Sequence, residues 1–108
     1  MALPHAQPGQ AVDLQPLGPR LASVRTHALF KAQHLEVLRL VLQAGQTLPV
    51  HQVQGEITVQ CLEGGLEVTT DAQAHRLQAG ELLFLPGGVP HGVRALADCS
   101  ALVTIALR

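Results

Sequence analysis

From Thr26 onward, apolar residues come in short runs cut by turn signals. Glu56–Leu62 (EITVQCL) shows the pattern most cleanly. Ile57, Val59 and Cys61 fall on one face and Glu56, Thr58 and Gln60 on the other, the period-two alternation of a half-buried strand. Glu63-Gly64-Gly65 reads as a hairpin turn into Leu66–Thr70; Asp71 turns the chain again and Gln73–Leu77 returns. Leu82–Leu85 is an apolar run of strand length, bounded by Gly80-Glu81 and Pro86-Gly87-Gly88. Thr26–Lys31, His34–Gln43, Leu48–Gln52, Val89–Ala95 and Cys99–Leu107 bring the count to between eight and ten strands. His34–Gln43 (HLEVLRLVLQ) has the leucine content of a helix, but its abrupt end at Ala44-Gly45 and its strand-like neighbours favour strand. No run predicts a long helix. So many short strands in 108 residues predict an all-β sandwich or barrel, closed or nearly so to hide its edges.

The first twenty residues break the pattern. Pro4, Pro8, Pro16 and Pro19 fall there with Gly9 and Gly18, so residues 1–20 are expected as a proline-rich arm ahead of one domain at residues 21–108. Val12, Leu14 and Leu17 give the arm a means of docking on a sheet edge or a neighbouring subunit; an unattached tail is the equal alternative.

Composition narrows the core and the partners. Apolar residues make up 47% of the chain and Phe30 and Phe84 are its only aromatics, so the core must be aliphatic. Net charge is −1 and Lys31 is the single lysine. Nucleic acid, which needs clustered basic residues, is not an expected partner. No apolar stretch reaches bilayer length and no signal-peptide pattern opens the chain, so no membrane association is expected. Cys61 and Cys99 are too few for a disulfide framework; two buried thiols in a reducing cytoplasm are the expectation.

The chemistry concentrates around Gly80–Gly92 (GELLFLPGGVPHG), where turns on both sides hold His91 after Pro90. Gly80, Pro86, Gly88 and His91 match every spacing of the motif G-x5-P-x-G-x2-H-x3-N, with Ala95 in the place of its Asn. Upstream, Gly45 and His51 match the start of G-x5-H-x-H-x3–4-E-x6-G; Val53 stands where its second His falls, and Gly64 closes it. Counting back from Gly64 puts Ile57, not Glu56, in the place of the Glu. Over roughly residues 35–107 the chain thus resembles the cupin superfamily, in particular its small single-domain conserved-barrel members. The resemblance implies a double-stranded β-helix barrel of jelly-roll type (the RmlC-like fold), with motif turns at Gly45, Gly64, Gly80, Pro86 and Gly88.

In metal-binding cupins three histidines and a glutamate meet at the barrel mouth, so the resemblance implies His51, His91 and Glu56 as candidate ligands for one divalent transition metal, Fe, Mn, Ni or Zn. Two imidazoles alone hold a metal poorly, and a third protein ligand is needed. Glu56 is the carboxylate nearest the motif, yet if Ile57 faces inward then Glu56 faces outward unless a bulge turns it. Gln52 and Gln54 are weak substitutes, and His34 and His75 lie outside the motif. The preferred reading is a pocket lined by Val53, Ile57, Val59, Cys61, Phe84 and Leu85, with His51 and His91 as its polar anchors for a small-molecule ligand. The alternative is a metal-dependent enzyme of dioxygenase or isomerase type using His51, His91 and Glu56. Whether the chain is an enzyme stays open. The sugar-epimerase cupins pair His with Tyr, and this chain has no tyrosine; the oxalate-degrading cupins need the full ligand set.

Three further expectations concern single residues and assembly. Cys61 is read as a core thiol before a ligand or nucleophile. Arg39, in an otherwise apolar strand, is read first as marking an exposed face, with a dimer contact or an anion anchor as alternatives. The run Ala101–Leu107 is apolar on both faces and Leu35–Leu42 is nearly apolar throughout, which predicts that part of this surface meets a second copy in a homodimer.

Overall fold

A computed structural model of the chain describes residues 5–107; the first four residues of the arm, Pro4 among them, and Arg108 lie outside the described residues. Nine strands follow one another: β1 (His27–Lys31), β2 (Leu35–Leu42), β3 (Thr47–His51), β4 (Ile57–Glu63), β5 (Gly65–Thr70), β6 (Gln73–Gln78), β7 (Leu82–Leu85), β8 (His91–Ala95) and β9 (Cys99–Ala106). The leucine-rich run is strand β2, paired with β9 along its whole length from Leu35↔Ala106 to Leu42↔Cys99. Among the described residues the one helical segment is a 3-10 turn, Gly18–Ala22, in the arm.

The strands form two antiparallel sheets, one in the order β1-β2-β9-β4-β7 and one in the order β3-β8-β5-β6. Apart from the β1–β2 and β5–β6 hairpins, consecutive strands pass between the sheets, and the apolar face of each sheet is buried against the other: this is the double-stranded β-helix. Its interior follows the period-two pattern. Leu40, Leu42, Ile57, Val59, Cys61, Leu85, Ala101 and Val103 from one sheet meet Leu66, Val68, Leu77, Val93 and Ala95 from the other. The core is aliphatic throughout, and each fully buried Leu, Ile or Val contributes about 1.5–3 kcal/mol by leaving water.

The outer face of β2 departs from expectation. Val37, Arg39 and Val41 alternate with the inward leucines, yet all three are buried, Arg39 being 4% exposed. Over Arg39 the cover comes from the chain's own arm. Arg39 donates from Nη2 to the Gln15 carbonyl (2.8 Å) and to the Glu63 carboxylate (3.1 Å), and from Nε to Ser100 Oγ (3.3 Å). The same carboxylate accepts the backbone N–H of Leu17 (2.9 Å) and of Gly18 (3.0 Å), and the Ser100 hydroxyl. Glu63 reaches this face through a bulge: Cys61 pairs with Ala101 but Glu63 with Ser100, so one extra residue turns the carboxylate away from the core. Arg39 is therefore not an exposed-face residue but the anchor of a buried anion, and Glu63 is more than a turn residue.

The arm is docked in two places. Ala6 N–H donates to the Leu29 carbonyl at the free edge of β1 (2.7 Å), and the Glu63–Arg39 cluster holds Gln15–Gly18. Leu14 and Leu17 are half-buried, whereas Val12 remains 36% exposed. The outer face of β2 around Arg39 is thus covered by the chain itself. What stays open lies at the opposite edge of the sheet, where Leu82 and Phe84 on β7 are 63% and 55% exposed.

Candidate functional site

The two motif histidines are brought together. β3 and β8 pair at their mouth ends so that His51 and His91 are direct cross-strand partners. Their ring centroids stand 4.5 Å apart at a 55° tilt. His91 is 2% exposed, whereas His51 is exposed, so solvent reaches the pair from the β3 side.

Local backbone geometry sets how each ring is turned. His51 Nδ1 lies 3.2 Å from the Pro49 carbonyl oxygen, and His91 Nδ1 lies 3.0 Å from the Val89 carbonyl oxygen. A carbonyl only accepts, so Nδ1 carries the hydrogen in both of these contacts. Among the described residues neither Nε2 has a hydrogen-bond partner. His27 makes the same contact to the Arg25 carbonyl at 2.7 Å, far from the mouth, so the bond itself is a local habit of these strands. The juxtaposition of two such rings is what distinguishes the site.

The loops that carry the histidines are fastened to each other. Gly88 N–H donates to the Val53 carbonyl at 2.8 Å. At Gly87 the backbone passes so close to the preceding loop that a Cβ there would lie 2.1 Å from the Gln54 oxygen. The glycines after Pro86 therefore do more than reverse the chain: they let the two motif loops touch, which fixes His51 against His91.

The other expected site residues divide by strand parity. Ile57 and Leu85 are register partners on the inner face, 4% and 6% exposed, and form the apolar floor with the half-buried Val53. Val59 and Cys61 lie deeper in the packed core. Phe84 is not a pocket residue, because it alternates with Leu85 and so points outward. Glu56 is exposed and lies before the regular strand next to the inward Ile57; its carbonyl accepts Ala106 N–H at 2.9 Å, and its carboxylate is not gathered with the histidines. The bulge that would have turned Glu56 inward is absent there and occurs instead at Glu63.

Cys61 and Cys99 are both fully buried and free. Burial pushes the Cys61 thiol up, and burial pushes the Cys99 thiol up to about 11. Both stay protonated, so neither offers a thiolate as nucleophile or metal ligand.

Three polar residues on the inner face were not picked out from the motifs. Thr70 (9% exposed) follows Val68 inward on β5, and β5 pairs with β8 as far as Thr69↔Gly92, which sets Thr70 level with His91. Its Oγ1 lies 2.8 Å from His75 Nε2. His75 pairs with the inward Val68 and alternates with the inward Leu77. Glu36 shares the inward parity of Leu38, Leu40 and Leu42 and is in register with Ile105, itself paired with Ile57. The signal for all three was parity relative to a core leucine or valine, available once the strands were in hand.

Two hollows of the surface lie elsewhere. A cleft of about 510 Å³ runs between the arm and Phe30–Ala32, and an open hollow of about 570 Å³ lies beside Gly64, Gly65 and Leu96; neither includes His51 or His91.

Residues 38–105 match the family model of the cupin domain, well over half of the chain. The chain belongs to the cupin family. Solved structures agree with that fold. A conserved protein of unknown function from Streptococcus pyogenes superposes with a TM-score of 0.78 at 22% identity, covering 100% of this chain and 96% of that one. An RmlC-like cupin from Desulfovibrio desulfuricans gives 0.71 at 29% identity, covering 97% of each chain. The DMSP lyase DddQ from Ruegeria pomeroyi gives 0.69 at 26% identity over 75% of this chain and 45% of that one. No curated protein matches. The ligand set of metal-binding cupins does not fit this one. Val53 and Ile57 fill two of its four positions, Glu56 faces solvent, and no cluster of three His, Cys, Asp or Glu able to hold a metal is present among the described residues.

Proposed function

We propose that this cupin binds a small molecule at the barrel mouth, held by His51 and His91 above the apolar floor of Val53, Ile57 and Leu85. The observation that carries this reading is the ring pair itself: two imidazoles 4.5 Å apart, each with Nδ1 tied to the backbone carbonyl two residues before it. A few convergent polar atoms over an apolar surface is the ordinary composition of a ligand site. An iron-, manganese-, nickel- or zinc-dependent oxygenase or isomerase would need a third protein ligand, and no step is assigned to a metal here.

The reading predicts that purified protein carries well under one equivalent of any of these metals by elemental analysis. A full equivalent, lost in His51→Ala and in His91→Ala, would replace the ligand pocket with a metal centre.

The uncovered edge supports a second part of the proposal, a homodimer formed through β7 and its neighbours. On that face Leu82, Phe84, Thr58, Gln60, Leu102 and Thr104 carry no charge, so two copies meet there without repulsion. Light scattering at micromolar concentration should give twice the chain mass, and Phe84→Glu should give the monomer. A monomeric wild-type protein would remove this part of the proposal and leave the pocket untouched.

A further inference from the structure

The arm does not lie flat on the barrel. Ala6 N–H donates to the Leu29 carbonyl at 2.7 Å, and the chain then turns at once. Two bonds close that turn: Gln10 N–H donates to the Gln7 carbonyl and Gln7 N–H donates to Gln10 Oε1, both at 2.9 Å. Gly9, at φ +80, supplies the left-handed residue the turn needs. The turn stands as a wall, and between it and Phe30–Ala32 lies the cleft of about 510 Å³. That volume is in the ordinary range of small-molecule sites.

The cleft is mainly apolar, with Pro8 and Val12 on the arm side and the half-buried Phe30 on the barrel side. Its ionisable lining residues are His5 and Lys31, and no carboxylate lines it. Lys31 is the only lysine of the chain; it is exposed at the end of β1 and forms no ion pair among the described residues. Glu36 is its register partner on β2, yet the two are not within ion-pair distance and Glu36 does not line the cleft. A cation in the cleft would meet the Lys31 ammonium with no counter-charge in the lining. An anion there would meet that ammonium directly, with apolar walls beside it.

We infer that the arm cleft is a second binding site, for a small monocarboxylate with an aliphatic body: the carboxylate pairs with the Lys31 ammonium, and the carbon chain lies between Phe30 and the Pro8–Val12 stretch of the arm. The site is separate from the histidine pair, so its test leaves the reading of the mouth where it stands.

The test uses the full chain at pH 8, where a lysine ammonium and a carboxylate are both charged. Octanoate, octan-1-ol and octylammonium, each below the concentration at which it aggregates, are titrated while the aromatic ring signals are followed by ¹H–¹³C correlation. The two phenylalanines of the chain serve as site and control: Phe30 lines the cleft, whereas Phe84 is exposed on β7 and would report general adherence to apolar surface. Octanoate should move the Phe30 signals saturably and leave those of Phe84 in place. Octylammonium should bind at least about fivefold more weakly than octanoate. Lys31→Gln, at an exposed position, should weaken octanoate about three- to fivefold, the size of one partly exposed ion pair, and Lys31→Arg should restore it. Octylammonium or octanol binding as well as octanoate, or an unchanged octanoate affinity in Lys31→Gln, would overturn the carboxylate assignment. Phe30 signals that stay in place, or that move only in step with those of Phe84, would remove the site altogether.

Discussion

Glu63→Ala should be the most damaging single substitution on the outer surface of the barrel, costing about 3–5 kcal/mol, the range for stranding one member of a buried ion pair. Arg39 would remain 4% exposed with its guanidinium facing the space the carboxylate left, while the N–H groups of Leu17 and Gly18 and the Ser100 hydroxyl would lose their acceptor. A loss of that size is a large share of the roughly 5–15 kcal/mol that holds a domain of this kind together. At ~4–8 °C per kcal/mol for a domain of about 100 residues, thermal unfolding should begin at least ~12 °C lower. The double variant Arg39→Met, Glu63→Leu should be more stable than Glu63→Ala, because an apolar pair leaves no stranded charge. Equal stability of Glu63→Ala and wild type in urea would show that the arm is not held by this cluster.

The same carboxyl gives the stability a pH dependence whose sign follows from its contacts. Burial by itself would raise its pKa; the Leu17 N–H, the Ser100 hydroxyl, the Gly18 N–H and the Arg39 guanidinium outweigh that and hold it below the ordinary carboxylate value of 4.5. The folded state therefore binds the proton less readily than the unfolded state. The contribution is fully present above 4.5 and is lost as pH falls through the lower folded value. Glu63→Gln should flatten the acid limb of the stability curve in that window.

This cluster also marks where reading the sequence stops. The barrel was legible because each strand reports its own two faces, and Gly or Pro marks five of the eight reversals. The site was half legible: the motif spacing named His51 and His91, and parity beside Ile57 already argued against Glu56. Phe84 fell to the same rule, since Leu85 next to it faces the core. Glu36 and His75 could have been found the same way, by counting from Leu38 and Leu77. Arg39 could not. Its parity is outward, and only the arm, held through a contact between Leu17 and Glu63 that spans 46 residues, makes outward mean buried. Nor does any residue type announce the bulge that delivers Glu63 to it.

Gly87→Ala should be severely damaging at the mouth, and Gly88→Ala beside it should be distinctly milder. The two glycines are there for different reasons. At Gly88 the backbone has φ +80 with nothing within 4 Å of a Cβ, so alanine meets only the left-handed penalty of about 1–2 kcal/mol. At Gly87 a Cβ would lie 2.1 Å from the Gln54 oxygen and 3.1 Å from its carbonyl carbon, both backbone atoms that cannot swing aside. The motif loops would have to separate, at a cost of roughly 3 kcal/mol or more for forced overpacking. Separation stretches the Gly88–Val53 hydrogen bond and carries β8 away from the loop after β3, so the cost falls on the His51–His91 contact as well as on stability. Chemical denaturation should rank wild type above Gly88→Ala and Gly88→Ala above Gly87→Ala. The ring signals of His51 and His91 should shift in Gly87→Ala alone. Equal losses in the two variants would mean that the loops do not depend on this close approach, and that something other than Gly87 sets the distance between the histidines.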